Sequence, residues 1–283
     1  MIRLLASDLD GTLLGPDGKV SDKTAAAVKE LQNAGIRFVV CTGRSHEDAV
    51  RPLEEQGIFC DVICMNGSAV YDRTGDRIHS QELTPEQITT ILDACEEEVV
   101  FDFMTGQGSC TLTTKEQFEQ YFEAGLLLPM AGGITREYIM SHFQFLTKEE
   151  LFSEDMEYYK VSVIHPNPFV LERVKAKLEA HTGFAVAASH HTNLEITNSG
   201  AQKGLALMKY AQLKGIRSKE IMAIGDSEND LSMLCLPLGY TVAMENAMES
   251  VKRAARCETR SNAEDGVAYA IETLILADKE QAS

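Results

Sequence analysis

Within residues 4–14, LLASDLDGTLL, two aspartates one residue apart, Asp8 and Asp10, follow an apolar run and precede a Gly-Thr pair. Like charges this close disfavour each other's ionised form unless a cation or a proton settles the conflict. More groups able to do chemistry lie further along: Thr42-Gly43 in CTGR, Asn66-Gly67 in MNG, Lys203 in QKG, and Asp226, Asn229 and Asp230 in GDSEND. Two carboxylates from one segment and one or two from another make an oxygen-rich set suited to a hard cation. A calcium loop of the EF-hand kind does not fit. Its sixth position must be Gly and its twelfth Glu, whereas counting from Asp8 gives Leu13 and Lys19.

The elements around these groups explain how they could meet. IRLLAS is a short continuous apolar run, the mark of a strand buried on both faces. SDKTAAAVKELQNAG reads as a helix with Ser21 at its N-cap and Gly35 as its stop. IRFVVCTG is a second buried strand, SHEDAVRPLEEQG a helix closed by Gly57, and DVICMNG a third strand. This β-α-β-α-β rhythm predicts a parallel sheet with right-handed crossovers. In such a sheet ligands bind beyond the C-terminal strand ends. Asp8 and Asp10, Thr42-Gly43, Asn66-Gly67 and the acids after EIMAIG all follow strands, and Lys203 opens a helix.

The rhythm changes after the third strand. SAVYDRTGDRIHSQEL predicts a hairpin turning at Thr74-Gly75, and Thr84, Pro85 and Gln87 form a capping box with proline at the first helical position. Mixed strands and helices run on to about residue 188, including YYKVSVIH and a helix after Asn167-Pro168. From NLEIT onward the α/β rhythm is expected to return. The predicted architecture is an α/β, doubly wound parallel-sheet core, 1–83 with 189–283, interrupted by an inserted α+β unit at 84–188. His190-His191, at the return, read as hinge or surface residues.

Composition bounds the partners. The chain has 283 residues, 44% hydrophobic and 24% charged, which suits two globular domains with substantial cores. The net charge of −17 repels nucleic acid and anionic membranes, so neither is expected as a partner. A phosphate ester would have to be attracted locally, by a metal, a lysine or a helix N-terminus. The seven cysteines are scattered and complete no zinc pattern, as in a protein of a reducing compartment. No signal peptide or membrane span is expected. These traits point to the cytoplasm; a monomer or weak dimer is expected.

Taken in order, these segments resemble the haloacid dehalogenase superfamily, and within it the magnesium-dependent Cof-type phosphatases. DLDGTLL is similar to its first motif, CTGR to its second, the lysine of QKG to its third and GDSENDLSM to its fourth; the tail TVAMENAMESVKRAA…SNAEDGVA also looks like this family. One departure is Glu245, where a small residue, often Gly, is usual. The resemblance implies a HAD-like core with a large inserted cap that closes over the site and sets specificity. It implies Asp8 as nucleophile, forming an aspartyl-phosphate, and Asp10 as general acid and base. Asp8, the Asp10 backbone carbonyl and Asp226 would ligate Mg²⁺, supported by Asp230. Leu9, Thr42, Gly43, Lys203 and Asn229 would hold the phosphoryl oxygens. Asn66 reads either as a turn residue or as a substrate contact, and Arg44 as a surface group near the pocket mouth or a substrate contact. The implied substrate is a small phosphorylated metabolite: a sugar phosphate, a nucleotide or a cofactor phosphate. A mutase using the same aspartate, or a phospho-accepting regulatory protein, are the alternatives.

Overall fold

The structure, a computed structural model, describes residues 1–123, 136–153, 155–188 and 191–277. The chain divides into two compact units, Met1–Ser80 with Lys203–Ser283, and Gln81–Gln202.

The first unit begins with β1 (Leu4–Ser7), β2 (Arg37–Cys41), β3 (Asp61–Cys64), β4 (Ala69–Tyr71) and β5 (Arg77–Ser80). Ser21 caps the helix Asp22–Asn33 by accepting from the Thr24 N–H at 3.0 Å, and Gly35 follows with φ +78°. That positive φ turns the chain out of the helix and is open to glycine without strain. Ser45 caps His46–Glu54 in the same way. The hairpin between β4 and β5 turns through residues 72–76, where the Asp72 carboxylate accepts from the Thr74 hydroxyl at 2.6 Å.

The inserted unit contains β6 (Val100–Thr105), β7 (Gly108–Thr111), β8 (Gln144–Phe145), β9 (Tyr158–Ile164), β10 (Phe184–Ala187) and β11 (Asn193–Asn198). They form one six-stranded sheet in the order β10-β11-β9-β6-β7-β8. The helices Pro85–Ala94 and Pro168–Glu179 place Ile88, Ile91, Val174 and Leu178 in one apolar core with Phe103 and Val161 of the sheet. The capping box at Thr84 and Gln87 is formed in both directions.

The insertion has wider limits than the sequence rhythm suggests. Leu83 already belongs to it, its N–H bonding the Tyr158 carbonyl at 2.8 Å. NLEIT becomes β11 and pairs antiparallel with β9 and β10 instead of rejoining the core. The reason is its period of two: Leu194 and Ile196 enter the inserted unit's apolar cluster while Glu195 faces the opposite way. The return therefore falls at residue 203, not 189. Ser189 and His190 lie outside the described residues, and His191 is exposed.

The chain re-enters the first unit through the helix Lys203–Leu213 and adds β12 (Ile221–Gly225), β13 (Tyr240–Ala243) and β14 (Cys257–Glu258). The completed eight-stranded sheet has the order β14-β13-β12-β1-β2-β3-β4-β5. From β14 to β3 all neighbours are parallel, and the hairpin strands β4 and β5 are antiparallel. β1, β3 and β12 are buried along their whole length, as both-face coverage requires. Because β12, β1, β2 and β3 are adjacent and point the same way, their C-terminal ends come together on one edge. Among the described residues, no helix is long and apolar enough to cross a membrane.

Candidate active site

Asp8 leaves the end of β1 with its N–H on the Ile224 carbonyl of β12 at 2.9 Å, and it is buried. Residues 9–13 then make a tight turn, closed by the Leu14 N–H on the Leu9 carbonyl at 2.9 Å. Gly11 sits in this turn at φ +73°, and a Cβ there would fall 2.4 Å from Asp226 Oδ2. Glycine thus serves both the left-handed backbone and the approach of a carboxylate. Thr12 Oγ1 donates to Asp226 Oδ1 at 2.7 Å, and Ser227 Oγ donates to Asp226 Oδ2 at 3.0 Å.

Lys203 is 1% exposed. Its Nζ donates to Asp8 Oδ1 at 2.6 Å, to Asp230 Oδ1 at 2.8 Å and to Asn229 Oδ1 at 3.3 Å. Asp230 Oδ2 accepts the N–H groups of Asp226 at 2.9 Å and Ser227 at 3.0 Å. Both Asp230 oxygens are therefore engaged by the protein. Ligand oxygens of Asp8, Asp226 and Asp230 lie within 4.8 Å of one another. Burial, followed by the charge of Asp230, pushes the Asp8 carboxyl well above the usual carboxylate range despite the pull of Lys203. The same two causes raise Asp226 to about 6, against the bonds from Thr12 and Ser227. For Lys203 burial disfavours the ammonium, but Asp230 and Asp8 reverse the effect and raise its pKa. A cluster with three acids around one ammonium carries surplus negative charge.

Thr42 ends β2 with its N–H on the Ile63 carbonyl at 2.8 Å, and its own carbonyl accepts from Asn66 N–H at 2.9 Å. Gly43 follows, and the Arg44 N–H donates to Thr42 Oγ1 at 3.1 Å. The Arg44 side chain folds onto Asp10: Nε donates to Oδ2 at 2.8 Å and Nη2 to Oδ1 at 2.5 Å. This two-pronged pair is the geometry in which guanidinium and carboxylate bind most specifically. It places Arg44 against an acid of the site, where sequence reasoning had a surface group or substrate contact. Met65, Asn66 and Gly67 all have positive φ, at 48°, 57° and 103°. The bend buries Asn66 and lets its Oδ1 accept from Asn229 Nδ2 at 3.2 Å. His46 lies instead against the Tyr71 ring, with centroids 4.4 Å apart.

The structure thus joins Asp8, Lys203, Asn229, Asp230 and Asp226 in one cluster, links Asn66 to it through Asn229, and pairs Asp10 with Arg44. Leu9, Thr42 and Gly43 occupy the adjoining strand ends. Thr12 and Ser227 escaped sequence reasoning. Their signal was only that each hydroxyl sits within two residues of a site acid. Glu245 causes no conflict: it is exposed, and among the described residues only Met65, Asn66 and Asp265 have positive φ without being glycine.

With sheet, insertion and acid cluster in place, the chain belongs to the haloacid dehalogenase-like hydrolases, whose family model matches residues 5–271. The resemblance to the Cof-type members extends over nearly the whole chain. A 5-amino-6-(5-phospho-D-ribitylamino)uracil phosphatase of Bacillus subtilis (strain 168), YwtE, is 30% identical over 300 residues, covering 97% of this chain and 98% of the relative. The HMP-PP phosphatase of Serratia proteamaculans is 29% identical, covering 89% and 87%. A solved haloacid dehalogenase-like hydrolase from B. subtilis superposes with a TM-score of 0.86 at 30% identity, covering 97% of this chain and 100% of its own.

Proposed function

We propose that the chain is a phosphatase that hydrolyses small phosphorylated metabolites through attack of Asp8 on phosphorus. The observation that carries this reading is Lys203 Nζ shared between Asp8 and Asp230, with the Asp226 carboxylate alongside. A carboxylate oxygen of Asp8 forms a bond to phosphorus as the ester P–O bond breaks, and Asp10 gives its proton to the departing oxygen. Asp10 then removes a proton from water, whose oxygen takes the phosphoryl group and frees Asp8. Splitting the hydrolysis into two steps matters because uncatalysed monoester cleavage is among the slowest of reactions.

Lys203, the Thr42 hydroxyl, the N–H groups of Leu9 and Gly43 and the Asn229 amide would hold the phosphoryl oxygens. Arg44 pairs with both Asp10 oxygens here, and it releases one of them when Asp10 carries the proton that it donates. The surplus of carboxylates fits a small hard cation such as Mg²⁺, which Asp8, Asp226 and the Asp10 carbonyl would hold, with Asp230 fixing the Asp226 backbone from behind. When bound, that ion neutralises negative charge on the phosphate and the acids around it. A cytoplasmic setting accords with seven cysteines that are all free thiols. Relatives named for a ribityl phosphate and for HMP-PP support a small-metabolite substrate.

The test is phosphate release from a panel of sugar, nucleotide and cofactor phosphates, with Mg²⁺ or with EDTA. Release from at least one member that stops in EDTA and in Asp8→Asn is expected. Turnover by Asp8→Asn at the normal rate would remove the nucleophile assignment, and isomerised ester without free phosphate would make the protein a mutase.

A further inference from the structure

The segment 244–248 and Asn262 belong to the tail that sequence reasoning singled out and gave no role. Asn246 is exposed, yet both ends of its amide are used. Its Nδ2 donates to the Gly11 carbonyl at 2.8 Å, and its Oδ1 accepts the Asn262 N–H at 2.9 Å. Asn262 continues the chain of bonds, its Nδ2 donating to the Leu14 carbonyl at 2.8 Å. Two asparagines in series thus grip the turn that carries Asp10 and Thr12 at two of its carbonyls. The same segment also holds the other acid-bearing strand end: the Met244 N–H donates to the Gly225 carbonyl at 3.1 Å, and the Met248 N–H to the Asp226 carbonyl at 2.9 Å.

We propose that Asn246, with Asn262 behind it, is a positioning residue that sets the spacing between the Asp10 turn and Asp226. The inference rests on the reading above, in which Asp8, the Asp10 carbonyl and Asp226 hold a divalent cation. Gly11 is the contact point. Its Cα lies against the Asp226 carboxylate and its carbonyl is the one Asn246 holds. Hydrogen bonds at exposed positions add little to stability, so fold maintenance alone is a weak reason for an amide here. Asparagine suits the position because it donates and accepts at once. Aspartate would turn an acceptor toward the Gly11 carbonyl.

The experiment measures Mg²⁺ binding to the full chain by titration calorimetry, together with kcat and KM on an aryl phosphate. The variants are Asn246→Ala, Asn246→Asp, Asn262→Ala, and Gln32→Ala as a control that removes another exposed bond, Gln32 Nε2 to the Phe59 carbonyl at 2.9 Å. Asn246→Ala and Asn246→Asp are both expected to weaken Mg²⁺ binding by ~10-fold, as loss of groups supporting metal ligands does. Their kcat falls, and KM at saturating Mg²⁺ changes less. Asn262→Ala moves the same way by a smaller factor and carries the test if Asn246→Ala fails to fold. Gln32→Ala leaves Mg²⁺ affinity unchanged. Wild-type affinity and kcat in both Asn246 variants, or equal weakening in Gln32→Ala, would overturn the positioning role while leaving the phosphatase reading intact. A wild-type chain that hydrolyses phosphate esters without binding Mg²⁺ would overturn the cation reading and this role with it.

Discussion

The two ends of the helix Lys203–Leu213 make a natural experiment in buried charge. At its start, Lys203 meets Asp8 and Asp230 within 2.8 Å, and Asp226 adds a third carboxylate to the group. At its far end the proportions are reversed. A single carboxylate, Asp61, accepts from the Tyr210 hydroxyl at 2.8 Å and the Arg73 N–H at 3.0 Å, and pairs with Lys214 at 3.2 Å. Burial, then the bond to Asp61, raises the Tyr210 pKa, keeping the phenol a donor. Both ends use acid, lysine and burial, so residue types do not separate them. What separates them is stoichiometry: several donors around one acid tie a helix to a sheet, whereas several acids around one ammonium leave charge for a ligand to neutralise.

The contrast is sharpest for turnover. Asp8→Asn should lower phosphate release by ~10⁴-fold or more, while the thermal midpoint holds or rises because the surplus charge is reduced. A large fall in midpoint would mean that Asp8 is structural. Lys203→Met strands two buried carboxylates and should cost about 3–5 kcal/mol in denaturant unfolding; an unchanged midpoint would break the comparison at its centre. Saturating Mg²⁺, at a hundred times its Kd, should stabilise the chain by about 2.7 kcal/mol relative to EDTA, and Asp226→Asn should abolish most of that gain. Tyr210→Phe should cost about 1 kcal/mol and leave turnover per folded molecule intact. Lys214→Ala is the smallest change. Its side chain is 26% exposed, and the loss should stay within about 1 kcal/mol.

Much of the core could be read from residue order, because its strands are continuous apolar runs and its helices carry Ser21 and Ser45 as caps. The acids were legible for the same reason: each follows such a run. The far limit of the insertion was not. NLEIT alternates apolar and polar residues, the pattern of a strand in an antiparallel sheet, and only its pairing with β9 and β10 reveals which sheet it joins. Arg44 and Asn246 were obscured by distance. Arg44 lies 34 residues from its Asp10 partner and Asn246 lies 235 from Gly11, and no local period encodes such contacts.

Gly225, the last residue of β12, lies directly beneath Asp230, so that a Cβ there would come 2.5 Å from the carboxyl carbon. Even alanine would prise that acid from the two amide hydrogens and the ammonium it serves. Mutational libraries aimed at new substrates therefore have no room to vary this position, whatever selection is applied. Diversity introduced at this point would yield disassembled sites, and altered preference has to be sought elsewhere in the chain.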